Sequence, residues 1–140
     1  MDSPKSHAHR EKKLSYRRRE HKNKKFYNSK AWRETREAYM RHYQQRLFKE
    51  IPQGKWNGMD LAMHQVTYIL NLGYLPCEMC LKHYIAEAYD TVEEGKELDH
   101  IIPVNRENAT ESKEHGDPFS FDNLQLLCRT HHAKKSQRER

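Results

Sequence analysis

With 140 residues, a formal net charge of +6 and 35% apolar against 33% charged residues, the chain has room for one modest domain whose apolar core alone would be marginal. No apolar stretch reaches the ~20 residues of a membrane-spanning helix, so no membrane partner is expected. The opening Met1-Asp2-Ser3-Pro4-Lys5 begins no apolar run, and the expectation is a cytoplasmic protein without a leader. In that compartment its three cysteines suit thiolate ligation better than disulfides.

The charge is unevenly placed. Residues 1–25 carry ten Lys/Arg against three Asp/Glu, and the rest carries 16 against 17. The stretch 1–25 therefore reads as a flexible basic arm for nucleic-acid phosphates, with a solubility tail as the plainer alternative. Residues 26–140 make up the folded domain, with a helical part over 26–76. From Asn28 to about Lys49, Trp32, Tyr39, Tyr43 and Leu47 recur at helical spacing. Asn28 or Ser29 caps the start, and Pro52 and Gly54 end the helix. The aromatic residues read as its buried face, and Arg33 and Arg36 as surface charges within reach of phosphate. A second helix is expected from Asp60, as its cap, to Leu72, stopped by Gly73. Pro76 then leads into Cys77-Glu-Met-Cys80.

Leu81 to Val92 permits a short helix. Glu97 to Val104 reads as a strand around Asp99-His100, Asn105 to Pro118 as a long polar loop, and Leu124 to Leu127 as a second strand. A last helix starts near Cys128–Arg129 and carries His131, His132 and Lys135. His64 and His83 stand outside these motifs and read as ordinary surface or core histidines.

Two kinds of site can be assembled from the second half. Cys77, Cys80, Cys128 and His131 form C-x-x-C and C-x-x-H pairs, which suit a closed tetrahedral zinc site. Asp99, His100, Asn123 and His132 remain. One carboxylate, two imidazoles and an amide can hold a divalent ion and supply a general base.

The order of these pieces, closing on Cys128-x-x-His131-His132-x-x-Lys135, resembles the HNH endonucleases, in particular the small phage members that work beside the DNA-packaging terminase. Phe26-Tyr27-Asn28-Ser29-Lys30-Ala31-Trp32-Arg33 resembles the segment that opens many of them. The chain departs from the family where His131 stands in the place of a second cysteine, so either His131 or His132 could serve the catalytic ion. The spacing favours His132, with His131 kept for a Cys3His zinc site. The stretch from Arg41 to Pro76 is also longer than the family leads one to expect.

The resemblance implies an α+β fold: a treble-clef, ββα-metal (His-Me finger) module over 77–136 with a zinc knuckle and additional N-terminal helices. It implies a metal-dependent DNA phosphodiester hydrolase with structural Zn2+ and one catalytic divalent ion, Mg2+ first and Mn2+, Ni2+ or Zn2+ as alternatives. In that assignment His100 is the general base, Asp99 and His132 hold the catalytic ion, and Asn123 orients His100. Arg129 and Lys135 contact DNA, and terminase subunits are candidate partners. The main rival is a non-catalytic zinc module that binds DNA or protein, which would have no use for Asp99, His100 and Asn123 together. A thiol oxidoreductase comes third, since it leaves Cys128 and His131 idle.

Overall fold

A computed structural model describes residues 24–104 and 116–138 of the chain. A helical turn over 24–27 precedes the longest helix, α1 (Lys30–Glu50). Ser29 caps α1 by accepting from the Trp32 N–H at 3.1 Å, and it donates its own hydroxyl to the Phe26 carbonyl at 2.6 Å. The buried residues of α1 are Trp32, Tyr39, Tyr43 and Leu47, the stripe expected from helical spacing. A 3-10 turn, Ile51–Gln53, and left-handed Gly54 (φ 72°) stop the helix where Pro52 removes a donor.

The next segment departs from the sequence expectation. Asp60 caps no helix. It lies in β2 (Met59–Asp60), which pairs antiparallel with β1 (Lys55–Trp56) across Asn57-Gly58. Both turn residues have positive φ, 46° and 81°, as a two-residue hairpin of this type requires. Lys55 pairs with Asp60 across the hairpin, and the Arg46 guanidinium lies over the buried Trp56 ring at 4.5 Å. The second helix, α2, is therefore only Met63–Leu70. At its start, buried Gln65 accepts from the Ala62 N–H at 2.9 Å, and it donates to the Tyr84 carbonyl at 3.2 Å. One amide side chain thus both caps α2 and ties it to the helix that follows.

That helix, α3 (Glu78–Ile85), begins inside the Cys77–Cys80 knuckle. The chain enters it extended: Pro76 bridges Glu94, the Cys77 N–H donates to Glu93 O at 2.8 Å, and the Gly95 N–H donates to Leu75 O at 2.8 Å. Strand β3 (Glu97–His100) follows and pairs antiparallel with β4 (Leu124–Leu127), Asp99 opposite Gln125 and His100 opposite Leu124. The expected strand continued to Val104, but the ladder ends at His100. Beyond it, the Asn123 side chain takes both backbone groups of Ile102, accepting from its N–H at 2.8 Å and donating to its carbonyl at 3.2 Å. The expected loop from Asn105 lies mostly outside the described residues. A 3-10 turn, Phe121–Asn123, leads into β4, and α4 (Arg129–Arg138) follows.

The architecture is thus α+β: a β3–β4 hairpin followed by α4, with α1 to α3 packed around it. Glu78 joins these layers. Its carboxylate accepts from Tyr39 Oη and the Leu126 N–H, each at 2.5 Å. Burial pushes the Glu78 pKa up, and those two bonds oppose the rise. Of the basic arm, only Lys24 and Lys25 fall within the described residues. No described helix is long and apolar enough to cross a membrane.

Candidate metal centre and adjoining histidine site

Two turns build the first site. Cys77 is the N-cap of α3, and its sulfur accepts from the Cys80 N–H at 3.4 Å. Cys128 precedes α4 and accepts in the same way from the His131 N–H at 3.4 Å. Each turn aims two side chains inward, and Cys77, Cys80, Cys128 and His131 meet with their ligand atoms all within 4.8 Å of one another. Among the described residues this is the one group that joins three or more such ligands.

The spacing tests whether an ion fits. For zinc with Zn–S of about 2.3 Å and Zn–N of about 2.0–2.1 Å, tetrahedral edges come to about 3.8 Å for S–S and about 3.6 Å for S–N. Here Nδ1 of His131 lies 3.6, 3.5 and 3.3 Å from the sulfurs of Cys77, Cys80 and Cys128, and Cys80 Sγ lies 3.9 Å from Cys128 Sγ. Four of the six donor–donor distances thus match a zinc-sized tetrahedron and all the donors lie within 4.8 Å of one another, so the Cys3His cluster could hold a structural zinc. Burial raises the Cys77 thiol pKa and pushes that of Cys80 up to about 12, while burial, then the Lys134 charge, lowers that of His131. Such a pocket disfavours bare thiolates and favours a neutral imidazole, so a bound cation is what would offset three sulfur charges.

The second group lies where β3 meets α4. Adjacent residues on a helix point ~100° apart, so His131 and His132 face different neighbours. His132 Nε2 is 3.8 Å from Asp99 Oδ1. Lys135, one turn on, shares that face and puts its ammonium 3.1 Å from Asp99 Oδ2 and 2.8 Å from the His100 carbonyl. Gln125, opposite Asp99 in the sheet, donates to Asp99 Oδ2 at 3.1 Å. Asp99 is thus oriented from three sides and keeps one oxygen toward His132.

His100 is buried, 3% exposed. Its Nε2 is 2.9 Å from the Pro118 carbonyl, which can only accept, so that nitrogen carries the proton. Nδ1 then bears the lone pair of the neutral ring, and Tyr27 Oη stands 3.4 Å from it. Phe26, Tyr27 and Trp32 surround the ring, with the Trp32 centroid at 4.8 Å. Burial lowers the His100 pKa. The Lys135 charge adds to this, and the Pro118 bond and Asp99 oppose it. Neutral imidazole, the form able to take a proton, is favoured. Asn123 is buried too, and besides holding Ile102 it donates to the Asp117 carbonyl at 3.3 Å. It ties the residues just after His100 to the segment that supplies the Pro118 carbonyl.

The structure thus gathers Asp99, His100, Asn123, His132 and Lys135 into one region, with Cys77, Cys80, Cys128 and His131 on the neighbouring face of α4. Lys135, expected on DNA from the resemblance, has its ammonium on Asp99 and the His100 carbonyl. Arg129 is exposed in the first turn of α4. Sequence reasoning missed Tyr27, Gln125, the Pro118 carbonyl and Tyr89, whose Oη lies 3.2 Å from His131 Nε2, as partners of site residues. For Gln125 a signal existed, since pairing two strands beside Asp99 places some residue opposite it. For the others no local pattern pointed to the site.

Comparison with known proteins supplies the context. The family model described as HNH endonuclease matches residues 77–138, the segment that carries both groups. The crystal structure of the HNH endonuclease of the deep-sea thermophilic bacteriophage GVE2 with manganese ion aligns with 91% of this chain and 92% of that one. The identity is 22% and the TM-score 0.41, too loose a superposition to transfer geometry. The search of curated proteins found no match.

Proposed function

We propose that this chain, whose residues 77–138 match the HNH endonuclease family, is a metal-dependent DNA endonuclease with His100 as general base. The observation that carries the reading is the pairing of a buried, backbone-oriented imidazole with a carboxylate–imidazole pair. His100 has Nε2 held by Pro118 O, and Asp99 and His132 lie 3.8 Å apart beside it. A non-catalytic zinc module would need only the Cys3His cluster.

Phosphodiester hydrolysis needs a deprotonated water, neutralised phosphoryl oxygens and a stabilised leaving oxygen. His100 Nδ1 takes the proton from water, and the Nε2–H bond to Pro118 keeps that nitrogen basic and correctly aimed. Tyr27 Oη stands 3.4 Å from Nδ1, so the attacking water would take the place that this hydroxyl holds. Asn123 keeps the flanking segments in place. A divalent ion held by Asp99 and His132 would supply charge neutralisation at the phosphoryl and leaving oxygens. Mg2+ is the first candidate, and a carboxylate–imidazole donor set also admits Mn2+, Ni2+ or Zn2+. Lys135 adds a fixed positive charge at the same place, and Arg129 is free in position to meet the DNA backbone. Phage DNA packaging beside terminase is the setting we propose for this activity.

The test is incubation of the purified chain with supercoiled plasmid across these metals, with His100→Ala as control. Metal-dependent nicking that disappears in the variant supports the reading. A wild-type chain that binds zinc and DNA yet leaves plasmid intact with every metal rejects it in favour of a binding module.

A further inference from the structure

His131 is the odd member of its cluster. An imidazole has two nitrogens and a ring that can turn, so it anchors an ion only if something selects the nitrogen and holds the plane. The structure has an assembly for this outside the four ligands. Tyr89 Oη lies 3.2 Å from His131 Nε2, the nitrogen that faces away from the sulfurs. The two rings stack with centroids 6.0 Å apart and planes 20° from parallel. His83 closes the group, 4.8 Å from the Tyr89 ring and 6.3 Å from that of His131.

The backbone that delivers Tyr89 is unusual. After α3, Glu87 adopts φ 64°, a left-handed conformation that side-chain-bearing residues rarely take. The reversal lets the His83 carbonyl accept from both the Ala88 N–H at 2.8 Å and the Tyr89 N–H at 3.2 Å. The chain therefore folds back on the end of α3 and lays Tyr89 beside His131. Tyr89 remains 37% exposed, so core packing alone does not explain its position.

We infer that Tyr89 is a positioning residue for the metal centre: its hydroxyl accepts from Nε2–H of His131 and thereby selects Nδ1 as the ligand nitrogen. A phenol oxygen can accept this bond while donating its own proton to solvent, which its exposure permits. With Nε2 protonated, the lone pair is on Nδ1, the nitrogen already within 3.6 Å of all three sulfurs. The stack with Tyr89 and His83 holds the ring plane. The inference rests on the Cys3His cluster binding zinc and is independent of whether the chain cuts DNA.

Tyr89→Phe keeps the ring and removes the hydroxyl, whereas Tyr89→Ala removes both. Zinc affinity is read by competition with a chromophoric chelator, and folding by circular dichroism in excess zinc. Loss of a bond of this kind typically weakens metal affinity ~10–100-fold. Tyr89→Phe is expected to show that loss with an unchanged folded spectrum, and Tyr89→Ala a loss at least as large. A long-range proton–nitrogen NMR spectrum of zinc-loaded wild type should show His131 with Nδ1 bound and Nε2 protonated. Affinity within twofold of wild type in Tyr89→Phe, or zinc on Nε2, overturns the role of Tyr89 alone. A wild-type chain that takes up no zinc overturns the Cys3His reading and this inference together.

Discussion

Three histidines of this chain have three different surroundings, and a different job is proposed for each. His100 is buried with Nε2 on a carbonyl, His131 presents Nδ1 to three thiols, and His132 leans toward Asp99. The proposed jobs separate under mutation. His100→Ala should cut plasmid nicking by ~10²–10⁴-fold, the usual loss of a general base, while metal and DNA binding persist. His132→Ala should lose activity together with metal affinity at the second site, and excess divalent ion should restore part of it. Nicking at the parental rate in His100→Ala would remove that residue from the mechanism. The spacing of Asp99-His100, Asn123 and Cys128-x-x-His131-His132 made these candidates legible in the sequence. Their partners were not. Tyr27 reaches His100 from 73 residues away and Tyr89 reaches His131 from 42 away, distances at which no local pattern operates.

At the level of elements, the sequence marked α1 and β4 closely, because apolar periodicity and caps are local properties. It misread the stretch before α2, where the Asn57-Gly58 hairpin signal lay in plain view and Asp60 looked like a cap instead. Gly95 shows a constraint that only packing exposes. It lies in the extended segment that leads into β3, and a Cβ there would stand 2.4 Å from the side chain of Leu126, itself buried in β4. The Leu126 side chain has little room to yield, since it is 2% exposed and packed on all sides. Gly95→Ala should therefore cost about 1–3 kcal/mol, the range for overpacking a filled core, and lower the thermal midpoint. A midpoint equal to wild type would mean that β4 shifts freely past the knuckle.

For the whole molecule, the proposed zinc and the proposed arm serve different purposes. The apolar core is small for the charge it carries, and the Cys3His cluster joins the start of α3 to the start of α4. Cys77→Ser or Cys128→Ser should lose zinc and cooperative unfolding together, because binding energy at such a site is folding energy. Metal-free protein that keeps native helicity and a sharp thermal transition would show that the cluster is dispensable. Residues 1–25, with ten basic side chains, should bind DNA in a strongly salt-dependent, sequence-independent way. Deleting them should weaken binding and flatten its salt slope, measured by titration at several ionic strengths. An unchanged slope would leave the arm as a solubility tail.

By itself the sequence determined the inventory and the local geometry: which residues can ligate, which helix faces are apolar, and that a C-x-x-C and a C-x-x-H turn each present two ligands inward. These follow from chemistry and from spacings of a few residues. The tertiary structure decided which groups meet. It brought Asp99 to His132, put Lys135 on Asp99, placed the Pro118 carbonyl on His100 and folded Tyr89 back onto His131. Each of those contacts joins segments distant in the chain, and their energies depend on burial and direction, which a one-dimensional pattern does not contain.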